Sequence, residues 1–309
     1  MIISASRRTD IPGFYSQWFL ERLRAGSVLA PNPWNPRHVG KVRLSPDNVD
    51  CVVFWTKNAR PMLDKLTAID AMGYKYYFSF TITPYGRDME RNLPPKNEIV
   101  ETFRELSDRL GPKRVDWRFD PIVVTDRHSV QWHFDAFGRM CERLGDYTER
   151  CIINFVKTYR HIADRVQELE GDVIARVARG FASIAADYRL PLFNCTEKWD
   201  LREAGIKFSA CIDKKKIEHV VGYPISAKKD SGQPKICHCL ESFDVGMYDT
   251  CTHGCTYCYA QTDAGTTIRK AKRHDPASPM LIGLPGRDTT INDRTRASFR
   301  SRQLSLFRD

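Results

Sequence analysis

The chain of 309 residues is 42% hydrophobic, enough to bury a sizeable core as one large domain or as a domain with appendages. Its formal net charge of +10, from 48 Lys and Arg against 38 Asp and Glu, is modestly basic and favours a polyanionic partner. The opening "MIISASRRTDIPGFY" lacks a basic region followed by an apolar run, and no apolar stretch approaches roughly 18 residues, so neither a signal peptide nor a membrane span is expected and the expected location is cytoplasmic.

From the amino terminus, short apolar or β-branched runs alternate with longer amphipathic stretches. The runs "IISAS" (2–6), "CVVFWT" (51–56), "YYFSFTIT" (76–83), "VDWRF" (115–119), "CIINFV" (151–156) and "LPLFNC" (190–195) predict strands. Between them, 98–110, 130–144 and 172–187 carry apolar residues at three- and four-residue spacing and predict helices. Such alternation suits a parallel (β/α) barrel, partial or closed, over residues 1–215, with a doubly wound open sheet as the fallback.

In a barrel of this kind the working side chains sit just beyond the carboxyl ends of the strands. Those positions hold Arg7, Arg8 and Asp10, then Lys57 and Asn58, then Pro84 to Arg87, then Arg118, Asp120 and Pro121, then Lys157 and Tyr159, and finally Cys195 and Glu197. The cations suit anionic substrate groups, and the carboxylates suit orienting them or holding ribose and amine groups. Arg118, Asp120, Lys157 and Cys195 are the candidate catalytic residues.

Residues 216–262 form a cysteine-rich segment, and 263–309 a polar, basic stretch with Pro and Gly at 276, 279, 283, 285 and 286, which reads as an extended or weakly ordered tail. Ten cysteines in a reducing compartment point to metal or redox chemistry rather than a disulfide framework. Cys251, Cys255 and Cys258 stand at C-x3-C-x2-C, a spacing that can supply three corners of a 4Fe–4S cluster and leave one iron open. Zinc is the alternative, because Cys237, His238, Cys239 and His253 lie near in sequence. Cys195, Cys211, Cys237 and Cys239 make a candidate second centre, iron–sulfur or zinc. Cys51, Cys141 and Cys151, inside predicted strands and helices, read as buried apolar residues.

The cysteine loop, with Tyr257 before its third cysteine, resembles the signature loop of radical S-adenosylmethionine enzymes. The chain is also similar, through "SASRRTDIP", "SFTITPYG", "WRFDPI", "ACID" and "CHC…DTCTHGCTYCYA", to a bacterial family of unknown function noted for a C-terminal cysteine cluster of that kind. The resemblance implies a 4Fe–4S cluster on Cys251, Cys255 and Cys258, S-adenosyl-L-methionine on the open iron, and an electron donor as partner. The loop lies at the opposite end of the chain from its usual place. A circular permutation reconciles the two if a strand at 243–249 closes beside that at 2–6, which brings Ser4 to Asp10 to the methionine-binding position. No Gly-Gly-Glu is present, so Arg7, Arg8 and Asp10, with Tyr257, are the candidate cofactor-binding residues.

The closing Gln303-Leu304-Ser305-Leu306-Phe307 resembles the peptide by which bacterial polymerases and repair proteins dock on the sliding clamp. Together these features imply a radical enzyme acting on DNA or a nucleotide. A non-catalytic, metal-stabilised nucleic-acid-binding protein and a radical enzyme on a small metabolite stand as alternatives.

Overall fold

The computed structural model describes residues 1–196, 198–234 and 236–301. In chain order its elements are β1 (Ile2–Ala5), α1 (Ile11–Phe14), α2 (Ser16–Arg24), β2 (Ser27–Pro31), β3 (His38–Arg43), β4 (Cys51–Thr56), α3 (Leu66–Ala71), β5 (Tyr76–Thr81), α4 (Lys96–Leu110), β6 (Val115–Ile122), α5 (Val130–Leu144), β7 (Cys151–Phe155), α6 (Gly171–Asp187), β8 (Leu192–Asn194), β9 (Lys207–Phe208), α7 (Lys214–Val221), β10 (Phe243–Asp244), α8 (Ala264–Ala271) and β11 (Thr290–Asp293).

Eight strands form one parallel sheet in the order β10-β1-β4-β5-β6-β7-β8-β9. The six strands and three helices read from periodicity are all present, with ends moved by a few residues. The expected closing strand is also present, but short: β10 pairs parallel with β1, Ile3 opposite Phe243 and Ser4 opposite Asp244. Among the described residues the edge strands β9 and β10 share no ladder. The segments flanking them meet instead, Leu240 N donating to Ile212 O at 3.0 Å.

Alternation along each strand assigns its two faces. Outward residues such as Phe54, Phe78, Trp117 and Phe119 pack under the helices in the main core, where the Phe137 and Phe181 rings stack at 4.1 Å. Inward residues at the strand starts, Ile2, Cys51, Val53 and Tyr77, pack against Ile212, Ile217 and Val221 of the α7 segment. Helix α7 thus plugs the sheet's inner face at the amino-terminal end. The plug is pinned by charge: buried Asp116 accepts from Arg150 and from Lys216 of α7, both at 2.6 Å. Burial opposes ionisation of Asp116, but the two cations outweigh it and hold its carboxyl below the usual range. The carboxyl ends of the strands stay open.

Two features depart from the sequence reading. A second sheet, β11-β3-β2, is built on an antiparallel β2–β3 hairpin that periodicity did not reveal. The stretch expected to be a loose tail is folded through Ser301: β11 runs parallel to β3, Leu281 is buried, and Phe299 N donates to Asp50 Oδ2 at 2.8 Å. Among the described residues no helix is long and apolar enough to cross a membrane.

Replacing Asp116 by Ala strands two buried cations and should cost roughly 3–5 kcal/mol in a urea melt. A loss under about 1 kcal/mol would mean that this triad does not hold the plug.

Candidate active site

At the open end of the sheet lies a cavity of about 430 Å³, lined from nearly every strand end. Arg7, Arg8, Asp10, Arg118, Asp120 and Lys157 line it, as do Cys251, Cys255, Tyr257 and Cys258, and so do Cys195, Cys211, Cys237 and Cys239. The candidate catalytic and cofactor-binding residues and both cysteine groups therefore line one cavity, whereas Asn58, Pro84 to Arg87 and His238 do not. Glu197 lies outside the described residues, as do Gln303 to Phe307.

The wall nearest β1 is organised by Asp10. Its Oδ1 accepts from Gly13 N, capping α1, and from Thr56 Oγ1, both at 2.8 Å, while Oδ2 accepts from Lys57 N at 2.7 Å and His253 Nε2 at 2.8 Å. The carboxylate is committed to protein donors. Beside it Asp244 accepts from Ser4 Oγ and Arg7 N, both at 2.9 Å, which fastens β10 to the turn after β1. Gly246 passes so close to this turn that a Cβ there would stand 2.1 Å from Ser6 Oγ. The Arg7 guanidinium reaches Ser242 and Asp230, and that of Arg8 lies 5.5 Å from the Tyr248 ring centre.

The cysteine loop rests on the segment after β5. Asn92 N donates to His253 O at 3.0 Å, Asn92 Nδ2 to Thr252 O at 2.8 Å, and Thr256 N to Met89 O at 2.9 Å. Gly254 turns the loop at φ +68°, a conformation that favours glycine. Beneath the loop, buried Glu90 pairs with Lys57 at 2.7 Å and with Lys96, and accepts from Thr83 Oγ1 at 2.6 Å and from the Tyr257 hydroxyl. Burial would raise the Glu90 pKa, but Lys57 and Lys96 outweigh it and bring it down to about 2. Glu90 was missed in the sequence, although it follows a strand end as the recognised residues do.

Burial pushes all three loop thiols up, Cys255 despite Lys57 beside it. Two buried polar atoms of cavity-lining residues, Thr9 Oγ1 and His253 Nδ1, have no hydrogen-bond partner. His253 Nε2 bonds to Asp10 Oδ2, so Nδ1 is the ring nitrogen left without a partner. The three loop thiols thus front the cavity with these unpaired polar atoms lining it too.

On the opposite wall, Cys195, Cys211, Cys239 and Cys237 touch in series although they come from the ends of β8 and β9 and the approach to β10. Arg118 Nη1 lies 3.2 Å from Cys211 Sγ, and Nη2 lies 4.0 Å from Cys195 Sγ and pairs with Asp120. Bonds from Cys195 and Cys239 hold the Cys211 thiol low, with Arg118 assisting, and donation to Cys211 holds Cys195 high. At the mouth the Lys157 ammonium sits 5.6 Å from the Tyr159 ring, which lies beside Tyr259.

The mixed zinc set is not assembled: His253 is bound to Asp10, while the His238 ring packs against Phe208, 5.0 Å between centres. Among the described residues no group of three or more His, Cys, Asp and Glu side chains closes on a single point as a one-ion site does.

A family model described as a domain of unknown function, DUF1848, matches residues 2–260. The chain belongs to this family. The DUF1848 match spans the eight-stranded sheet and both cysteine groups and ends just before α8. No curated protein matches. Among solved structures, the chain is similar to a provisionally assigned alpha-L-fucosidase from Bacteroides thetaiotaomicron VPI-5482, at 10% identity and a TM-score of 0.27, over 72% of this chain and 83% of that one. A likeness so loose transfers neither fold nor activity.

Glu90 also predicts a pH dependence. Its carboxyl is depressed to about 2, so its stabilisation is present above the unfolded value near 4.3 and is lost as pH falls through about 2. A Glu90→Gln variant should be less stable by on the order of 3 kcal/mol at neutral pH, and the gap to the parent should narrow between about pH 4.3 and 2. Parallel stability profiles across that window would refute the assignment.

Proposed function

We propose that this cavity is the active site of a radical S-adenosylmethionine enzyme acting on DNA or a nucleotide. The observation that carries the reading is that the C-x3-C-x2-C thiols front the same cavity as the strand-end cations and the unpaired Thr9 and His253. Cys251, Cys255 and Cys258 would hold a 4Fe–4S cluster. When bound with S-adenosyl-L-methionine and fed by an electron donor, that group supplies one-electron cleavage and hydrogen abstraction.

The chain's own residues then have distinct tasks. His253 Nδ1 and Thr9 Oγ1 accept from the methionyl ammonium, and Arg8, with no described carboxylate in ion-pair reach, meets the methionyl carboxylate. Asp10 and Tyr257, committed to His253 and Glu90, position the loop rather than touch the ligand. Arg7 fixes the turn after β1 through its backbone. Lys157 binds a phosphate at the mouth, between Tyr159 and the bulk. Arg118 and Asp120 would orient the substrate's polar edge, and Cys195, with Cys211 beside it, would give the hydrogen atom of its Sγ–H bond to a carbon-centred substrate radical, leaving a thiyl radical that an electron from the donor and a proton from water return to the thiol. A second metal centre on Cys195, Cys211, Cys237 and Cys239 is a separate reading, favoured by their assembly on one wall. Gln303 to Phe307 are proposed to dock on a sliding clamp, which would raise the local concentration of enzyme on DNA.

Anaerobically reconstituted protein should carry iron and sulfide that a Cys251, Cys255 and Cys258 triple Ala variant loses. With dithionite and S-adenosylmethionine it should release 5′-deoxyadenosine. Stoichiometric zinc in protein prepared without oxygen, and no 5′-deoxyadenosine, would leave the non-catalytic nucleic-acid-binding reading.

Removing residues 303–309 should abolish clamp binding in a pull-down and spare 5′-deoxyadenosine release. Retained clamp binding would dismiss the peptide.

A further inference from the structure

A second cavity of about 490 Å³ lies against the first, on the β10 side, between the sheet edge and the β2–β3 turn. The two share Arg7, Arg8 and Gln233 as a common wall. Nothing in the proposed chemistry uses the second one.

Its rim carries Trp34, which is 90% exposed, on the turn "NPWNPRH". The turn is closed on itself: Asn32 N donates to His38 O at 2.8 Å and His38 N to Asn35 O at 2.9 Å. Trp34 N also donates to Asn32 Oδ1 at 2.8 Å. A backbone held this firmly presents a large apolar ring to water rather than to the core. No described aromatic ring packs on it as a pair.

The charges below the ring leave a positive remainder. Asp244 is satisfied by Ser4, Arg7 N and Gly246 N, Asp230 faces Arg7, and Glu241 pairs with Arg296. Arg294 and His38 also line the cavity, and no described carboxylate lies in ion-pair reach of either. A flat, solvated ring on a cavity lined by Arg7, Arg8, Arg294 and Arg296 against Asp230, Glu241 and Asp244 is the pairing by which proteins hold unpaired bases and their phosphates. Each cavity alone falls in the range that holds one drug-sized ligand, roughly 300–1,000 Å³. Two that share a wall suit an extended chain rather than a lone metabolite.

We propose that the second cavity is a binding groove for single-stranded nucleic acid, with one base stacked on Trp34, its phosphate at Arg294 and His38, and the strand leading over the Arg7–Arg8 wall into the first cavity. This rests on the proposed function for its direction, since the neighbouring nucleotide would be the one acted on.

The test is fluorescence anisotropy of a labelled single-stranded 15-nucleotide DNA with the full chain, at low and raised salt, with no S-adenosylmethionine. Trp34→Ala should weaken binding about tenfold. Arg294→Ala should weaken it too, and should lower the slope of log K against log salt by about 0.7, as loss of one phosphate contact requires. Binding unchanged in both variants overturns the groove. So does equal, Trp34-dependent affinity for the fully paired duplex, because a stacked base must be unpaired. Loss of oligonucleotide binding altogether, with 5′-deoxyadenosine release intact, would overturn this inference and leave the proposed chemistry standing. Failure of that release with Trp34-dependent binding retained would do the reverse.

Discussion

The carboxylate of Asp10 joins three segments that the sequence holds far apart. It caps the short helix after β1, takes the hydroxyl and amide at the end of β4, and receives His253 from a loop 243 residues away. A buried carboxylate with four donors is stable only while all four stay in place, since each lost donor leaves unpaired charge in a medium that solvates it poorly. The position of the cysteine loop is therefore tied to that of β1 and β4 by one group. Asp244 repeats the device on the neighbouring strand, where two residues of β10 suffice because the side chain adds bonds that the short ladder does not supply.

The two cysteine groups share a cavity but not an environment. Glu90 with Lys57 and Lys96 forms a rigid base under Cys255, and the loop thiols are held high by burial, so neutral thiols are their resting state without a metal. Across the cavity Arg118 faces Cys211 directly, and bonds from neighbouring thiols favour its ionised form. One wall suits a group that displaces protons as it binds. On the other, Arg118 and the neighbouring thiols favour the charged form of one sulfur, Cys211 Sγ.

Long segments with one clear period were legible: α5 occupies the predicted 130–144, and β4 the predicted 51–56, because a buried helix face and a strand buried on both sides leave strong local patterns. The convergence of Arg118, Lys157 and the cysteines was legible from the rule that strand ends share one rim. The hairpin 27–43 was not, because "SVLAP" and "HVGKVR" are short and broken by Pro and Gly. Nor was the order of 263–301, which comes from partners remote in sequence: the Met1 amine and Phe299 N meet on Asp50, and β11 lies on β3. Glu90 escaped notice because a single Glu carries no periodic signal, and His253 was read as a zinc ligand where it is the partner of Asp10. Only their neighbours in space reveal what they hold.

This architecture sets a condition on how the site is assembled. The cysteine loop rests on β1, β4 and the segment after β5, and its strand β10 sits at the sheet edge with β1 as its sole described neighbour. Its contacts span up to 243 residues, so they carry the loop-closure cost of the most non-local kind. The sheet from β1 to β8 is joined by pairings between neighbouring strands, whereas the loop's position depends on β1, β4 and the Glu90 segment together. The same dependence fixes what the loop faces, since Arg118, Lys157 and the second set of thiols line the cavity with it.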